Sequence, residues 1–408
     1  MTTSPTQHPG PRSAPRTMGI EEELLLVDPA TGELVPVGPI VVARDVRAAG
    51  APSDDDAADA GNPQRAGAAQ HEARDGHDDD TAGTPLETEL QMQQVETATP
   101  PRTLLSELVD DLRTLRRRAD VAAQEVGARI VALGTSPRPG VPVLTPVTRY
   151  RAMAQLMGVT AAEQLTCGCH VHVGIESEEE GVAVLDRIRP WLAVLTALST
   201  NSPYWDGRDT GYAGYRTQVF GRWPVTGPTD LFGTPEAYHR RVTELMTTGA
   251  LLDEGMIYLD ARLSRSYPTV EVRVADICLE PEDAVLVAAL SRGLVETAAA
   301  AWRAGEQPDD VAGSVLRMAT WRASRSGLTS ELVDPRTRRP APAAEVVQAL
   351  VDHVRPALAA SGDLPWVEQQ VATVLQRGTG ADRQRRVAEA EGGDLAAVVR
   401  DAVEVTVG

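Results

Sequence analysis

Short runs in which apolar and polar positions alternate are separated along this chain by stretches with helical spacing. Residues 19–27 read as a strand closed by the turn Asp28-Pro29-Ala30-Thr31-Gly32. Residues 86–97, 130–133 and 167–175 read as further strands, and 256–264 and 269–275 flank a turn at Tyr267-Pro268. Leu104, Leu105, Leu108, Val109, Leu112 and Leu115 recur at the spacing of one helix face, which predicts a long helix. A short helix is expected over 149–157. Helices follow from 178 to 200 with a break at Pro190, and another begins near Pro235. From Pro281 onward the pattern is mostly helical, and Ala284 to Trp302, which carries Arg292 and Glu296, reads as an amphipathic helix. The stretch 201–228 is long, rich in glycine and aromatics and weakly periodic, as functional loops often are. Strands and hairpins interspersed with helices predict an α+β fold with an antiparallel sheet.

Two segments break this pattern. Residues 1–16 are rich in Pro, Ser and Thr and read as a disordered tail. From about 44 to 84 the composition collapses to Ala, Asp and Gly, with nine acidic residues against two arginines between Ser53 and Asp80. Such a run cannot bury enough apolar surface to offset its ordering entropy, so a mobile acidic insertion is expected. His71 and His77 within it read as part of a solvated linker rather than a metal site. Residues 17–408 are left as one domain.

Composition narrows the function. The chain has 408 residues, 42% of them hydrophobic, but only 4% aromatic, so aliphatic side chains must build the core. A net charge of −19 argues against nucleic acid or an anionic membrane surface as the partner. All 39 Lys+Arg residues are arginine. Walker-type ATPases, protein kinases and pyridoxal-phosphate enzymes each rest on a lysine and are thereby disfavoured. Phosphate handled by this chain must be handled by arginine and metal. Three cysteines, no signal-peptide pattern and no uncharged apolar run of membrane-spanning length lead to the expectation of a cytoplasmic protein.

Four runs carry candidate chemistry. In Gly19-Ile20-Glu21-Glu22-Glu23, strand alternation puts Glu21 and Glu23 on one face about 7 Å apart, a repulsive pair unless a cation sits between them. A solvated acidic strand end is the plainer alternative. Residues 87–96 are polar on both faces of their expected strand, which is poor design for a core. In Cys167-Gly168-Cys169-His170-Val171-His172-Val173-Gly174 the two histidines share a face, opposite the cysteines, which excludes a mixed Cys/His zinc site. In Thr269-Val270-Glu271-Val272-Arg273-Val274, Thr269, Glu271 and Arg273 share a face; the acid and the arginine could simply pair. Taken together, carboxylates and imidazoles on one face of an antiparallel sheet suit Mg²⁺ or Mn²⁺ bridging to phosphates.

These runs, with Gln94 to Thr97, Arg149-Tyr150, Asn201-Ser202-Pro203 and Gly207-Arg208-Asp209-Thr210-Gly211, resemble the type 2 glutamate–cysteine ligases. That family, also called carboxylate–amine ligases, belongs to the glutamine synthetase superfamily, and its motif order is kept from about residue 17 to 390. The resemblance implies a glutamine-synthetase-type catalytic fold: a curved antiparallel sheet with helices on its convex side and metals, ATP and an amino acid on its concave face. It implies Glu21, Glu23, Glu96, His170 and Glu271 as metal ligands, and His172 as a phosphate or substrate contact. Arg262 and Arg273 would face the transferred phosphate, and Arg216 would hold a substrate carboxylate or phosphate. Two departures stand out: the acidic insertion is longer than expected, and Leu263 follows Arg262 where proline is expected.

The implied reaction phosphorylates a carboxylate, that of glutamate, with ATP and Mg²⁺ or Mn²⁺, and an amine, that of cysteine, then displaces phosphate. The partners are these small molecules, with a homodimer as a candidate assembly. The proton acceptor for the amine is not legible. Alternatives are an ATP-dependent phosphotransferase of the same fold and a non-catalytic metal-binding protein. A cupin-like site on His170-x-His172-x-x-x-Glu176 is disfavoured because helix, not strand, is expected from Glu178.

Overall fold

The computed structural model describes residues 14–48 and 84–408. Its centre is a seven-stranded sheet: β1 (Met18–Val27), β2 (Glu87–Thr88), β3 (Gln94–Ala98), β4 (Arg129–Val131), β5 (Gly168–Gly174), β6 (Ala261–Leu263) and β7 (Thr269–Asp276). The order is β6-β7-β5-β1-β3-β2, with β4 also paired to β1, and every pairing is antiparallel. The α+β expectation therefore holds.

Alternation divides the sheet's faces. Ile20, Val171, Val173, Val270 and Val272 point to one side and are buried in the main apolar cluster, against the Leu105–Gln124, Glu178–Ile188 and Pro281–Arg303 helices. Glu21, Glu23, His170, His172, Glu271 and Arg273 point to the other side, whereas Glu22 shares the buried side with Ile20, where it pairs with Arg116. Helix Pro281–Arg303 departs from its amphipathic expectation, because buried residues surround its axis from Asp283 to Val295. It is long and apolar enough to cross a membrane by composition, but 78% of that window is buried in protein. Arg292 is accommodated by donating to the carbonyls of Arg16 and Thr103 and by pairing with Asp363.

Several boundaries differ from the sequence reading for physical reasons. The strand expected over 86–97 is a hairpin, β2 and β3. Gln91, Gln93 and Gln94 donate side-chain hydrogen bonds to the carbonyls of Ala161, Val141 and Thr166, so their polarity serves distant backbone rather than a solvated face. The strand expected over 256–264 is split. Tyr258–Leu259 pairs in parallel with Thr226–Gly227, Ala261–Leu263 pairs with β7, and Asp260 sits between. Of the insertion expected over about 44–84, residues 44–48 belong instead to helix Gly38–Ala48, with Asp45 buried against Arg118, and residues 49–83 lie outside the described residues. Of the expected tail, residues 1–13 also lie outside, but Arg16 is fully buried, paired with Glu180 and Glu296. The C-terminal region adds an unforeseen hairpin, Glu331–Asp334 with Arg339–Pro342.

Candidate functional site

The sheet register places the candidate side chains in rows. Glu23 is paired with Glu96 across β1 and β3, Glu21 with His170 across β1 and β5, and Glu271 with both His172 and Arg262 across β5, β7 and β6. These residues and Arg273 line one cleft of about 1190 Å³. Arg149, Tyr150, Trp223 and Tyr258 line it too.

Within the cleft, Glu21 contacts both histidines. Its Oε2 lies 3.4 Å from His170 Nδ1 and its Oε1 3.1 Å from His172 Nε2. The other His172 nitrogen, Nδ1, is 2.9 Å from Thr269 Oγ1. Glu23 accepts the Gly168 N–H at 2.6 Å, which leaves its other oxygen facing His170. Arg262 donates two hydrogen bonds to Glu271, at 2.7 and 3.2 Å, and Arg273 pairs with the same carboxylate. The β5–β7 register slips by one residue between Val272 and Ala275, so a bulge carries Arg273. Bulges beside sites re-aim a side chain, and this one delivers Arg273 to the cleft.

Sequence reasoning missed Glu89. The β2–β3 hairpin folds it back onto Glu96, and the two carboxyls interact. The alternation Glu87-Thr88-Glu89 is the available signal, and the single strand expected over 86–97 hides it. Arg216 is the one candidate that does not line this cleft. It is buried under the end of β5, where its guanidinium occupies the space a Gly168 side chain would need, and it lines a neighbouring cavity of about 260 Å³.

The electrostatics separate the acids. Burial, then the Glu23 charge, push the Glu89 carboxyl up to about 7. Burial and the charges of Glu89, Glu21 and Glu23 hold Glu96 well above the usual carboxylate range. Burial works the same way on Glu21, but contacts from His170 and His172 outweigh it and keep that carboxyl well below its usual value. For Glu271, burial is outweighed by Arg273 and Arg262, which bring it down to about 2. Burial and Arg273 lower His170, whereas Glu21 raises His172 against its burial.

These donors suit a hard divalent cation. Ligand atoms of Glu21, His172 and Glu271 lie within 4.8 Å of one another, and so do those of Glu21, Glu96 and His170. Both groups use Glu21, so it can bridge two adjacent ion positions. The Nε2 atom of His170 is buried and has no hydrogen-bond partner among the described residues. A carboxyl whose proton is retained by neighbouring negative charge gains its natural partner when a cation arrives.

The folded-state value of Glu89 lies above its ordinary 4.5, so below 4.5 it is protonated in both states and has no effect. As pH rises toward about 7 the unfolded chain ionises first, and the metal-free fold loses stability. A cation needs the ionised form. The rise in Tm produced by Mg²⁺ or Mn²⁺ should therefore be larger above pH about 7 than below it, read by thermal melts across pH. Glu89→Gln should flatten that dependence; an unchanged profile would remove Glu89 from the ion site.

The profile of Glutamate-cysteine ligase family 2 (GCS2) matches residues 17–401. A Streptomyces avermitilis protein that bears the provisional name glutamate–cysteine ligase 2-1 is 49% identical over 393 residues, covering 96% of this chain and 100% of the relative. A Streptomyces coelicolor protein provisionally named glutamate–cysteine ligase 2 is 48% identical over 391 residues, covering 96% and 99%. Among solved structures, the glutamate–cysteine ligase of Francisella tularensis, in complex with AMP, aligns with a TM-score of 0.62 at 13% identity, over 97% of this chain and 90% of that one. A bifunctional glutathione synthetase from Pasteurella multocida aligns at 0.65 and 13% identity, over 96% of this chain and 52% of that longer protein. At that identity the two structures speak for the fold.

Proposed function

The chain belongs to glutamate–cysteine ligase family 2, a family of carboxylate–amine ligases, and from that premise we propose that it joins the side-chain carboxylate of glutamate to the amine of cysteine through an acyl phosphate made with ATP. The observation that carries the reading is the arrangement around Glu21: two carboxylate–imidazole groups share it, on a sheet face that also holds Arg262 and Arg273. A nucleotide fits the size of the cleft, and the Francisella tularensis ligase of the same fold was solved with AMP.

Mg²⁺ or Mn²⁺ held by Glu21, Glu23, Glu96, His170 and Glu271 would supply neutralisation of phosphate charge. The remaining work falls to the chain's own residues. Arg262 and Arg273 bind oxygens of the transferring phosphoryl group, the part a lysine takes elsewhere. His172, raised by Glu21 and fixed by Thr269, contacts phosphate or substrate from the adjacent row. Arg216 and Arg317, in the neighbouring cavity, suit the α-carboxylate of an amino-acid substrate. A glutamate oxygen attacks the γ-phosphorus, ADP leaves, and the amine then displaces phosphate from the carbonyl carbon. The three cysteines are buried and unpaired, which suits the reducing conditions of a cytoplasmic location.

The test is product analysis after incubation with ATP, Mg²⁺, L-glutamate and L-cysteine. The expected outcome is one ADP and one phosphate for each amide formed. A stable phosphorylated product without amide would make the protein a phosphotransferase, and no ATP consumption across amino-acid and amine pairs would leave it a binding protein.

A further inference from the structure

The smaller cavity meets the cleft at Phe220, Tyr258 and Arg273, which line both. Its walls bring together Arg216, Arg317 and one acid, Asp260. Asp260 occupies the point where the chain leaves one strand pairing and enters another. Its N–H donates to the Gly227 carbonyl at 3.1 Å, and its carbonyl accepts the Arg273 N–H at 2.9 Å. The backbone on both sides of the carboxylate is thus fixed, and one of those bonds ties it to the bulge that carries Arg273. No described group donates a hydrogen bond to the carboxylate itself. In a chain whose other site acids are engaged by histidine, arginine or one another, Asp260 is an acid left facing open space next to the reacting arginine.

We propose that Asp260 is the general base of the amide-forming step, and that the amine substrate enters through the cavity it lines. The proposal rests on the ligase reading above. The amine arrives as an ammonium ion. Asp260 takes one proton and frees the nitrogen lone pair, which attacks the carbonyl carbon of the acyl phosphate. The C–N bond forms, the C–O bond to phosphorus breaks, and phosphate departs with the electron pair and the second proton. The result is a neutral amide, hydrogen phosphate and a protonated Asp260, so charge and protons balance.

The electrostatic setting suits that task. Burial pushes Asp260 up to about 7, with the Arg317 guanidinium opposing it from helix Gly313–Ser326. Arg216, Arg273 and Tyr258 are the other ionisable groups lining the cavity. A base of that strength is half ionised near neutral pH, where proton transfer is most effective.

The test compares two nucleophiles with the same enzyme, ATP, Mg²⁺ and L-glutamate. L-Cysteine brings an ammonium group that must lose a proton. Hydroxylamine is already neutral near neutral pH and needs no base to start. Asp260→Asn should lose about 10²–10⁴-fold in amide formation with cysteine and stay within a few-fold of the parent in hydroxamate formation. The parent's rate with cysteine should rise with pH through about 7, and the variant's should lose that inflection. Equal losses with both nucleophiles, or a raised KM for glutamate alone, would overturn the proposal and make Asp260 an anchor for the carboxylate substrate. Undiminished amide formation would overturn it as well. A melting curve matching the parent's excludes misfolding, and Asp260→Glu, which keeps the base, should recover part of the cysteine rate. A parent that makes neither product overturns the ligase reading, a result distinct from any outcome with the variant.

Discussion

Glu22→Ala should cost the fold about 3–5 kcal/mol, read as a fall in the urea midpoint at unchanged m. Glu22 lies between the two site acids of β1 and points the opposite way, into the protein, where it and Arg116 are both fully buried. Arg116 donates to both Glu22 oxygens, at 2.8 and 2.6 Å, and to the carbonyls of Leu279 and Cys278, each at 2.7 Å. Removing the carboxylate leaves a guanidinium out of reach of water with only two carbonyls for partners. The penalty is that of an uncompensated buried charge and exceeds the net worth of the pair. Replacing both members with leucine should therefore be far milder than Glu22→Ala alone. Equal losses in the single and double variants would show that the pair itself stabilises. The effect reaches function, because this contact pins the segment from which Glu21 and Glu23 project; the single variant should also bind Mg²⁺ more weakly.

That pair shows where sequence stops being informative. Alternation in β1, β5 and β7 is legible because one face is mostly aliphatic, Glu22 excepted, and the other carries acid, imidazole and arginine. The alternation alone places Glu21, Glu23, His170, His172 and Glu271 on a common face. It could not say that Glu22 has a partner, because Arg116 lies 94 residues away on a helix whose apolar stripe gives no hint of a buried cation. It could not find Glu89, because a polar run reads the same as an edge strand or as a hairpin whose glutamines bond to distant carbonyls. The switch of pairing at Asp260 was hidden in the same way: Tyr258 to Leu263 keeps an even alternation while its two halves join different partners. The Pro281–Arg303 helix misled for the converse reason. The two charged residues within 284–302 point to a solvated face, whereas Arg292 is buried and Glu296 is turned toward Arg16. In each case the missing information is the identity of a long-range partner, which period and composition do not encode.

Arg273→Lys should fold normally and lose about 10²–10³-fold in turnover, a loss of roughly 3–4 kcal/mol of transition-state stabilisation. The competing expectation is that Arg273 exists to pair with Glu271, in which case lysine would serve. The geometry weighs against that. Glu271 already receives two hydrogen bonds from Arg262, so it keeps a guanidinium partner in the variant, and its burial stays compensated. The bulge that presents Arg273 is held by its backbone N–H on the Asp260 carbonyl, a bond no side-chain change disturbs. What lysine removes is the fork. An ammonium keeps the charge but cannot present paired, coplanar donors to two phosphate oxygens, and Arg273 lines both the cleft and the cavity beside it. The loss should therefore fall on kcat more than on the KM for ATP, with hydroxamate and amide formation reduced alike, since both follow phosphoryl transfer. This separates Arg273 from Asp260, whose replacement should spare the hydroxamate. Turnover within a few-fold of the parent would assign Arg273 to the ion pair with Glu271 and leave Arg262 as the arginine that meets the phosphate.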